Sequence, residues 1–266
     1  MTEISAALVK ELRELTGAGM MDCKRALQDA NGDLEAAQKL LRERGMASAA
    51  KRAGRETPEG KVGYRVAEDA KRGVIVAVGC ETEPVSNTEE FLAFAKKVLE
   101  TVERDGPGAE EQLDEERQEL SGKLGENIVV VGGTRFEAVD GATIDGYAHP
   151  PANKLGVLLQ VRGGANGLAR KVAMHIAASA PRWIGREDVP EEMIAAERDI
   201  YANSDEVQSK PEQARDKIVE GMLNKRFFAS QVLTEQVWIH DTAKTVGEAL
   251  GEEGAEVLEF ERFQLG

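Results

Sequence analysis

Near the start of the chain, Ile4, Leu8, Leu12 and Leu15 recur at the spacing of one helix face. TGAG at 16–19 ends that helix. MMDCKRALQDAN then predicts a second helix, closed by Gly32. Asp33 is a good N-cap for a third, LEAAQKLLRER, closed by Gly45. Three short helices within 45 residues predict a compact bundle. The next segment, MASAAKRAGRETPEG at 46–60, is basic, rich in small residues and punctuated by Gly and Pro. It reads as a linker whose first residues are compatible with helix.

From residue 61 the period changes. KVGYRVAE and GVIVAVG read as strands joined by a short polar turn containing Lys71, Arg72 and Gly73. The helix FLAFAKKVLETVER follows, capped by Asn87 or Thr88. After a DGPG loop come an acidic helix, EEQLDEERQELSGKL, and the strand NIVVVGGTRF. This order recurs. GVLLQVRG echoes GVIVAVG at an offset of 83 residues (Gly73 to Gly156), and LARKVAMHIAAS echoes the helix after the first strand. GEALGEEGAEVLEFERF echoes SGKLGENIVVVGGTRF at an offset of 129 (Gly125 to Gly254), which places an insertion of 46 residues in the second copy. The insertion falls near 184–229. It holds two Pro-initiated helices, PEEMIAAERDIYANS and PEQARDKIVEGMLNKRFF, joined by the polar loop DEVQSK, and reads as an antiparallel helical hairpin.

Short polar turns favour antiparallel pairing, and helices segregated beside such sheets define an α+β fold. The expected organisation is a helical domain over 1–55 and a core subdomain over 56–140. A second core subdomain spans 141–183 and 230–266, interrupted by the hairpin at 184–229.

Charge narrows the function. The net charge is −14, which argues against a broad nucleic-acid surface. Residues 1–61 carry 11 basic against 10 acidic side chains, so the acidity lies in the remainder. That imbalance suits protein partners better than phosphate backbones. Two cysteines, Cys23 and Cys80, supply neither a disulfide framework nor a zinc set. No apolar run approaches the roughly 18 residues needed to span a membrane. The N-terminus lacks the apolar core of a signal peptide. The expectation is a cytoplasmic protein.

The densest candidate chemistry is CETEPVSNTEEF at 80–91. Twelve residues (79–90) join Val78 to Phe91, whereas six (162–167) join Val161 to Leu168 in the second copy. Chain beyond what the scaffold requires is where function tends to sit. Catalysis fits poorly, because no histidine or second cysteine accompanies Cys80. Glu81, Glu83, Glu89 and Glu90 could in principle hold magnesium, but Glu89 and Glu90 stand where acidic residues stabilise a helix start. GGANG at 163–167 is a tight turn rather than a phosphate loop, since it lacks the Lys-Ser/Thr of one. His175 reads as a packed histidine. His149, before Pro150-Pro151, is either a solvated loop residue or a contact residue. Met20 and Met21 cannot both face inward on one helix, so one of them is expected on a surface, where Met adapts well to a partner.

LVKELRELTGAGMMDCKRALQDANGDLEAAQKLLRERG resembles the N-terminal domain of bacterial elongation factor Ts, a three-helix unit similar to ubiquitin-associated domains. The resemblance continues through GVIVAVGCET, KLGENIVV, AMHIAAS, KIVEGMLNK and FERFQLG, and so covers essentially the whole chain. It implies two similar core subdomains with a coiled-coil hairpin inserted in the second. No C-terminal helical extension of the kind some members carry is expected. It further implies a guanine-nucleotide exchange factor for elongation factor Tu, not an enzyme, with no cofactor and no metal of its own. Such a factor binds Tu·GDP, promotes GDP release and leaves when GTP binds. The implied partners are GDP-bound and nucleotide-free Tu, and a homodimer through the hairpin, with no direct nucleic-acid or membrane contact.

The family's motif Thr-Asp-Phe-Val, which disturbs the magnesium site of Tu, matches Thr82, Glu83, Pro84 and Val85. Two positions depart. Glu for Asp keeps the charge on a longer arm. Pro for Phe removes an aromatic wedge able to bury ~150–250 Å² and substitutes a fixed φ. Arg13, Met20 and Met21 match the family's N-terminal docking surface for Tu, and His149 matches a core histidine near another Tu domain. The rival reading is a non-exchanging adaptor or chaperone-like binder.

Overall fold

The computed structural model describes residues 4–165 and 167–266. Met1–Glu3, at the head of the chain, and Asn166, within the expected GGANG turn, lie outside the described residues. Three helices open the chain: α1 (Ala6–Thr16), α2 (Met20–Asp29) and α3 (Leu34–Arg52). The Ser5 side chain accepts from the Leu8 N–H, and Gly17, at φ 69°, closes α1 by donating to the Arg13 carbonyl. Asp33 caps α3 by accepting from the Ala36 N–H at 2.9 Å. Val9, Leu12, Cys23, Ala26, Leu27 and Ala37 form the bundle core.

One expectation fails here. α3 does not end at Gly45 but runs on to Arg52. The Ala-rich segment that follows is a good helix former, and Gly45 lies against the backbone of another helix instead of ending its own.

The rest of the chain comprises β1 (Glu59–Val66), β2 (Arg72–Cys80), a single helical turn α4 (Glu83–Ser86), α5 (Glu89–Asp105), α6 (Asp114–Leu124), β3 (Ile128–Glu137), β4 (Ala142–Ala148), β5 (Leu155–Arg162) and α7 (Leu168–Ser179). There follow α8 (Glu191–Ala202), α9 (Asp205–Gln208), α10 (Glu212–Met222), α11 (Ala229–Gln231), α12 (Val246–Glu252) and β6 (Glu256–Gln264). The strands make two antiparallel three-stranded sheets, ordered β1-β2-β3 and β4-β5-β6. The fold is α+β. No helix among the described residues is long and apolar enough to cross a membrane.

The sheets are stacked between helices. On β2, Val74, Val76, Val78 and Cys80 face Phe91, Phe94 and Val98 of α5. The alternate residues Ile75 and Ala77 pack on Val62, Ile144 and Leu158, between the sheets. On β5, Val157, Leu159 and Val161 face Val172 and Ile176 of α7. Both central strands are therefore buried on two faces, which is why GVIVAVG and GVLLQV read as apolar runs without alternation.

The repeat has a structural signature. A register shift interrupts the β2–β3 ladder at Ala77/Val78 and the β5–β6 ladder at Gln160/Val161, 83 residues later. The third strands correct one reading. Val130 stands opposite Val78 and Val257 opposite Val161, so their offset is 127 and not the 129 suggested by the glycines. Counted to these register-matched valines, the first copy thus has two residues more after its helix-closing glycine than the second, and Glu126 and Asn127 stand at that point.

Residues 184–229 contain more than two helices. Within DEVQSK lies α9, whose Val207 is buried with Val189, Val219, Leu223, Phe227 and Phe228 in a cluster of its own. The stem is closed by Trp183, whose carbonyl accepts from Leu233 and whose N–H donates to Gln231. Replacing 187–228 by a short Gly/Ser turn is expected to leave a core with one cooperative thermal transition. A broad, non-cooperative melt would show that the insertion belongs to the core.

His175 is fully buried on α7. Its Nδ1 accepts from the Ile239 N–H at 3.4 Å, and its Nε2 lies 2.9 Å from Gln236 Oε1, an arrangement that requires the neutral ring protonated at Nε2. Burial holds its pKa below the ordinary 6.5. The unfolded chain therefore binds this proton more tightly, so the stability contribution is full above pH ~6.5 and is lost as pH falls through the folded-state pKa. His175→Gln should flatten the pH dependence of the melting temperature below pH 6.5 relative to the parent; an unchanged slope would exclude His175 as its source.

Candidate functional site

The stretch after β2 is a folded turn rather than a loose loop. Thr82 is extended (φ −132°, ψ 151°) and opens α4, with Pro84 in the first turn where its missing N–H costs nothing. The Glu83 carbonyl accepts from Ser86 Oγ at 2.8 Å and Asn87 Nδ2 at 3.0 Å. Thr88 supplies the cap of α5, accepting from the Phe91 N–H at 3.3 Å, which resolves the choice between Asn87 and Thr88. Phe91 and the inner side of Val85 anchor the segment in the core. Thr82, Glu83 and Pro84 remain exposed.

The two additional residues of the first copy hold this segment. The Glu126 carboxylate accepts from the Glu81 N–H at 3.1 Å, the Thr82 N–H at 3.0 Å and Thr82 Oγ1 at 2.5 Å. The Asn127 N–H donates to Glu81 Oε1 at 2.7 Å, and its side chain donates to the Arg55 carbonyl at 2.8 Å. Glu81 also pairs with Arg55 at 3.3 Å. Of the carboxylates in the segment, Glu81 is engaged within the fold, and Glu90 pairs with Lys123 at 3.3 Å. Glu90 is held below the usual carboxylate range, first by its own backbone N–H and then by Lys123. Among the described residues Glu83 enters no salt bridge. No group of three or more His, Cys, Asp or Glu side chains among them is placed to hold a metal ion.

Cys80 is buried, donates to the Thr82 carbonyl and has its pKa pushed up to about 11, by burial first and the Glu126 charge second. A thiol so protonated at neutral pH is a poor nucleophile.

The residues expected at the docking surface lie on two flanks of the segment. Arg13 is exposed at the end of α1, and Met20 and Met21 are 49% and 63% exposed at the start of α2. Both methionines are outside, rather than one, because Cys23 takes the inward position. Lys123 lies over Gly17, in the turn between α1 and α2, while pairing with Glu90, so one side chain links this corner of the bundle to the segment. On the other flank, His149 is exposed after β4, its Nδ1 2.7 Å from the Tyr147 hydroxyl. The following turn is tied to the start of β1: Lys154 pairs with Glu59 at 2.9 Å, and the Val62 N–H donates to the Asn153 carbonyl at 2.6 Å. Glu59 is the cross-strand partner of Cys80, so the His149 turn and Thr82–Val85 share one end of the strands.

Sequence reasoning missed Glu126 and Asn127: only the pairing register shows that the glycine-based offset of 129 exceeds the strand offset by two residues.

Comparison with known proteins gives one answer. The family model described as elongation factor TS matches residues 81–266. The chain is 41% identical to elongation factor Ts of Thioalkalivibrio sulfidiphilus, over 99% of this chain and 92% of that protein. It is 40% identical to elongation factor Ts of Sodalis glossinidius and 42% identical to that of Photorhabdus laumondii, each over 100% of this chain and 93% of the relative. On this evidence the chain belongs to the elongation factor Ts family.

Proposed function

We propose that the protein is a guanine-nucleotide exchange factor for elongation factor Tu, acting through non-covalent contact alone. In this reading Thr82–Val85 reach the magnesium and phosphate region of Tu. Arg13, Met20 and Met21 dock the helical domain (1–55), and His149 touches a further part of the partner from the second core subdomain. The observation that carries it is the pairing of two additions to the first copy: a longer strand–helix connection, and the Glu126-Asn127 insertion that clamps it. Neither is needed by the second copy, and together they present a stiff, exposed apex bearing Glu83.

Thermodynamic reciprocity supplies the mechanism. A binder that prefers nucleotide-free Tu weakens GDP, and GDP weakens the binder by the same factor. A thousandfold faster release requires ~4 kcal/mol from the barrier. One turn does not readily supply this, so the flanking contacts anchor the factor while the apex strains the nucleotide site. The test is release of fluorescent GDP from Tu of the same organism. Acceleration that saturates with factor supports the reading; binding to Tu without acceleration identifies a non-exchanging adaptor.

A further inference from the structure

Helices α3 and α6 cross at two glycines. A Cβ on Gly122 would stand 2.6 Å from the Gly45 Cα and 2.8 and 2.9 Å from its carbonyl carbon and oxygen. These are backbone atoms and cannot swing aside. The converse contact is open: a Cβ on Gly45 would meet the Gly122 Cα at 3.6 Å, an ordinary separation. Neither glycine closes a helix, because α3 continues to Arg52 and α6 is ended by Gly125. Glycine inside a helix costs about 0.5–1 kcal/mol relative to alanine, so Gly122, where a Cβ has no room, marks a place where close backbone approach is required.

The crossing dominates the attachment of the bundle. The bundle core is internal to α1, α2 and α3. Beside the crossing, Arg42 of α3 pairs with Glu115 and Glu119 of α6. One residue beyond Gly122, Lys123 reaches Gly17 and Glu90.

We infer that the Gly45–Gly122 crossing is a positioning latch, fixing the bundle on the core so that Met20, Met21 and the Thr82–Val85 turn meet Tu as one rigid surface. This rests on the exchange-factor reading above. A rigid two-part surface loses less freedom on binding than two parts joined by a tether, so the latch acts on affinity and not on the release step. Gly122 is the positioning residue and the Gly45 backbone is what it rests on; neither touches Tu or nucleotide.

The experiment uses the full chain with spin labels at Lys39→Cys and Lys96→Cys, on α3 and α5, and compares Gly122→Ala, Gly45→Ala and Arg42→Ala. Gly122→Ala should broaden the α3–α5 distance distribution. It should also raise the factor concentration giving half-maximal GDP release about tenfold, with the maximal rate unchanged. Gly45→Ala should match the parent in both readouts and melt no lower. Arg42→Ala, which inserts no atom, should shift both in the direction of Gly122→Ala but less. An unbroadened distribution in Gly122→Ala overturns the latch whatever Tu does. Broadening with an unchanged half-maximal concentration overturns its role in docking. If the parent fails to accelerate release, the exchange reading fails instead, and the distances still decide whether the latch exists.

Discussion

The Glu83→Gln, Pro84→Gly double variant is expected to release GDP from saturated Tu at least about tenfold more slowly than the parent, equivalent to ~1.4 kcal/mol of barrier. Its melting temperature should stay close to that of the parent. Both side chains are exposed, so the core does not depend on them. Among the described residues Glu83 and Glu89 enter no salt bridge, whereas Glu81 and Glu90 answer Arg55 and Lys123; of the two, Glu83 stands on the exposed turn itself, while Glu89 lies in the first turn of α5. Beside a bound cation and phosphates, where the ion dominates the local field, a free negative charge on a stiff support has the largest effect. Pro84 supplies part of the stiffness. It sits in the first turn of α4, where proline is preorganised, and glycine there would widen the conformations to be lost on binding. Stopped-flow release at saturating factor, beside thermal melts, measures both quantities. Parent-like release would move the trigger off this turn, to the flanking Val78–Glu81 or to α5.

How far the sequence led can be judged from particular residues. GVIVAVG and GVLLQVRG announced equivalent central strands, and their offset of 83 reappears in the register shifts at Ala77 and Gln160. Such runs are legible because burial on two faces leaves no polar alternation. Gly45 misled because an isolated glycine late in a helical pattern resembles a C-cap; that its backbone instead receives Gly122 of another helix depends on a contact distant in sequence. Helix α9 was hidden in a polar loop because its formation depends on one buried residue, Val207. Chain surplus singled out the connection 79–90, and the family resemblance, not the surplus, picked Thr82–Val85 within it. Its conformation was not, since the hydrogen bonds that set it join residues 81–82 to residue 126, across β2 and β3.

That separation makes Glu126 the sharpest test of the site. Glu126→Ala is expected to lower stability by about 1–2 kcal/mol, the lower part of the range for hydrogen bonds to a charged group, because water replaces the partner of the exposed Thr82 donors more readily than that of Glu81. It should also slow GDP release about tenfold at saturation, although the carboxylate is spent on the Glu81 and Thr82 donors. Glu126→Gln should do neither. Its amide oxygen can take both N–H donors while its NH₂ donates to Thr82 Oγ1, since a hydroxyl accepts as well as donates. Amide exchange at Glu81 and Thr82 provides the local readout, rising in the alanine variant and staying near the parent in the glutamine one. Cys80 gives a second: loss of the Glu126 charge lowers the thiol pKa, while burial, the larger cause, keeps most of the group protonated. Alkylation should therefore quicken only modestly in Glu126→Ala if the turn loosens without unfolding. Should release remain at the parental rate while these amides exchange freely, a rigid apex is not what drives GDP from Tu, and the charge of Glu83 would have to act from a mobile segment.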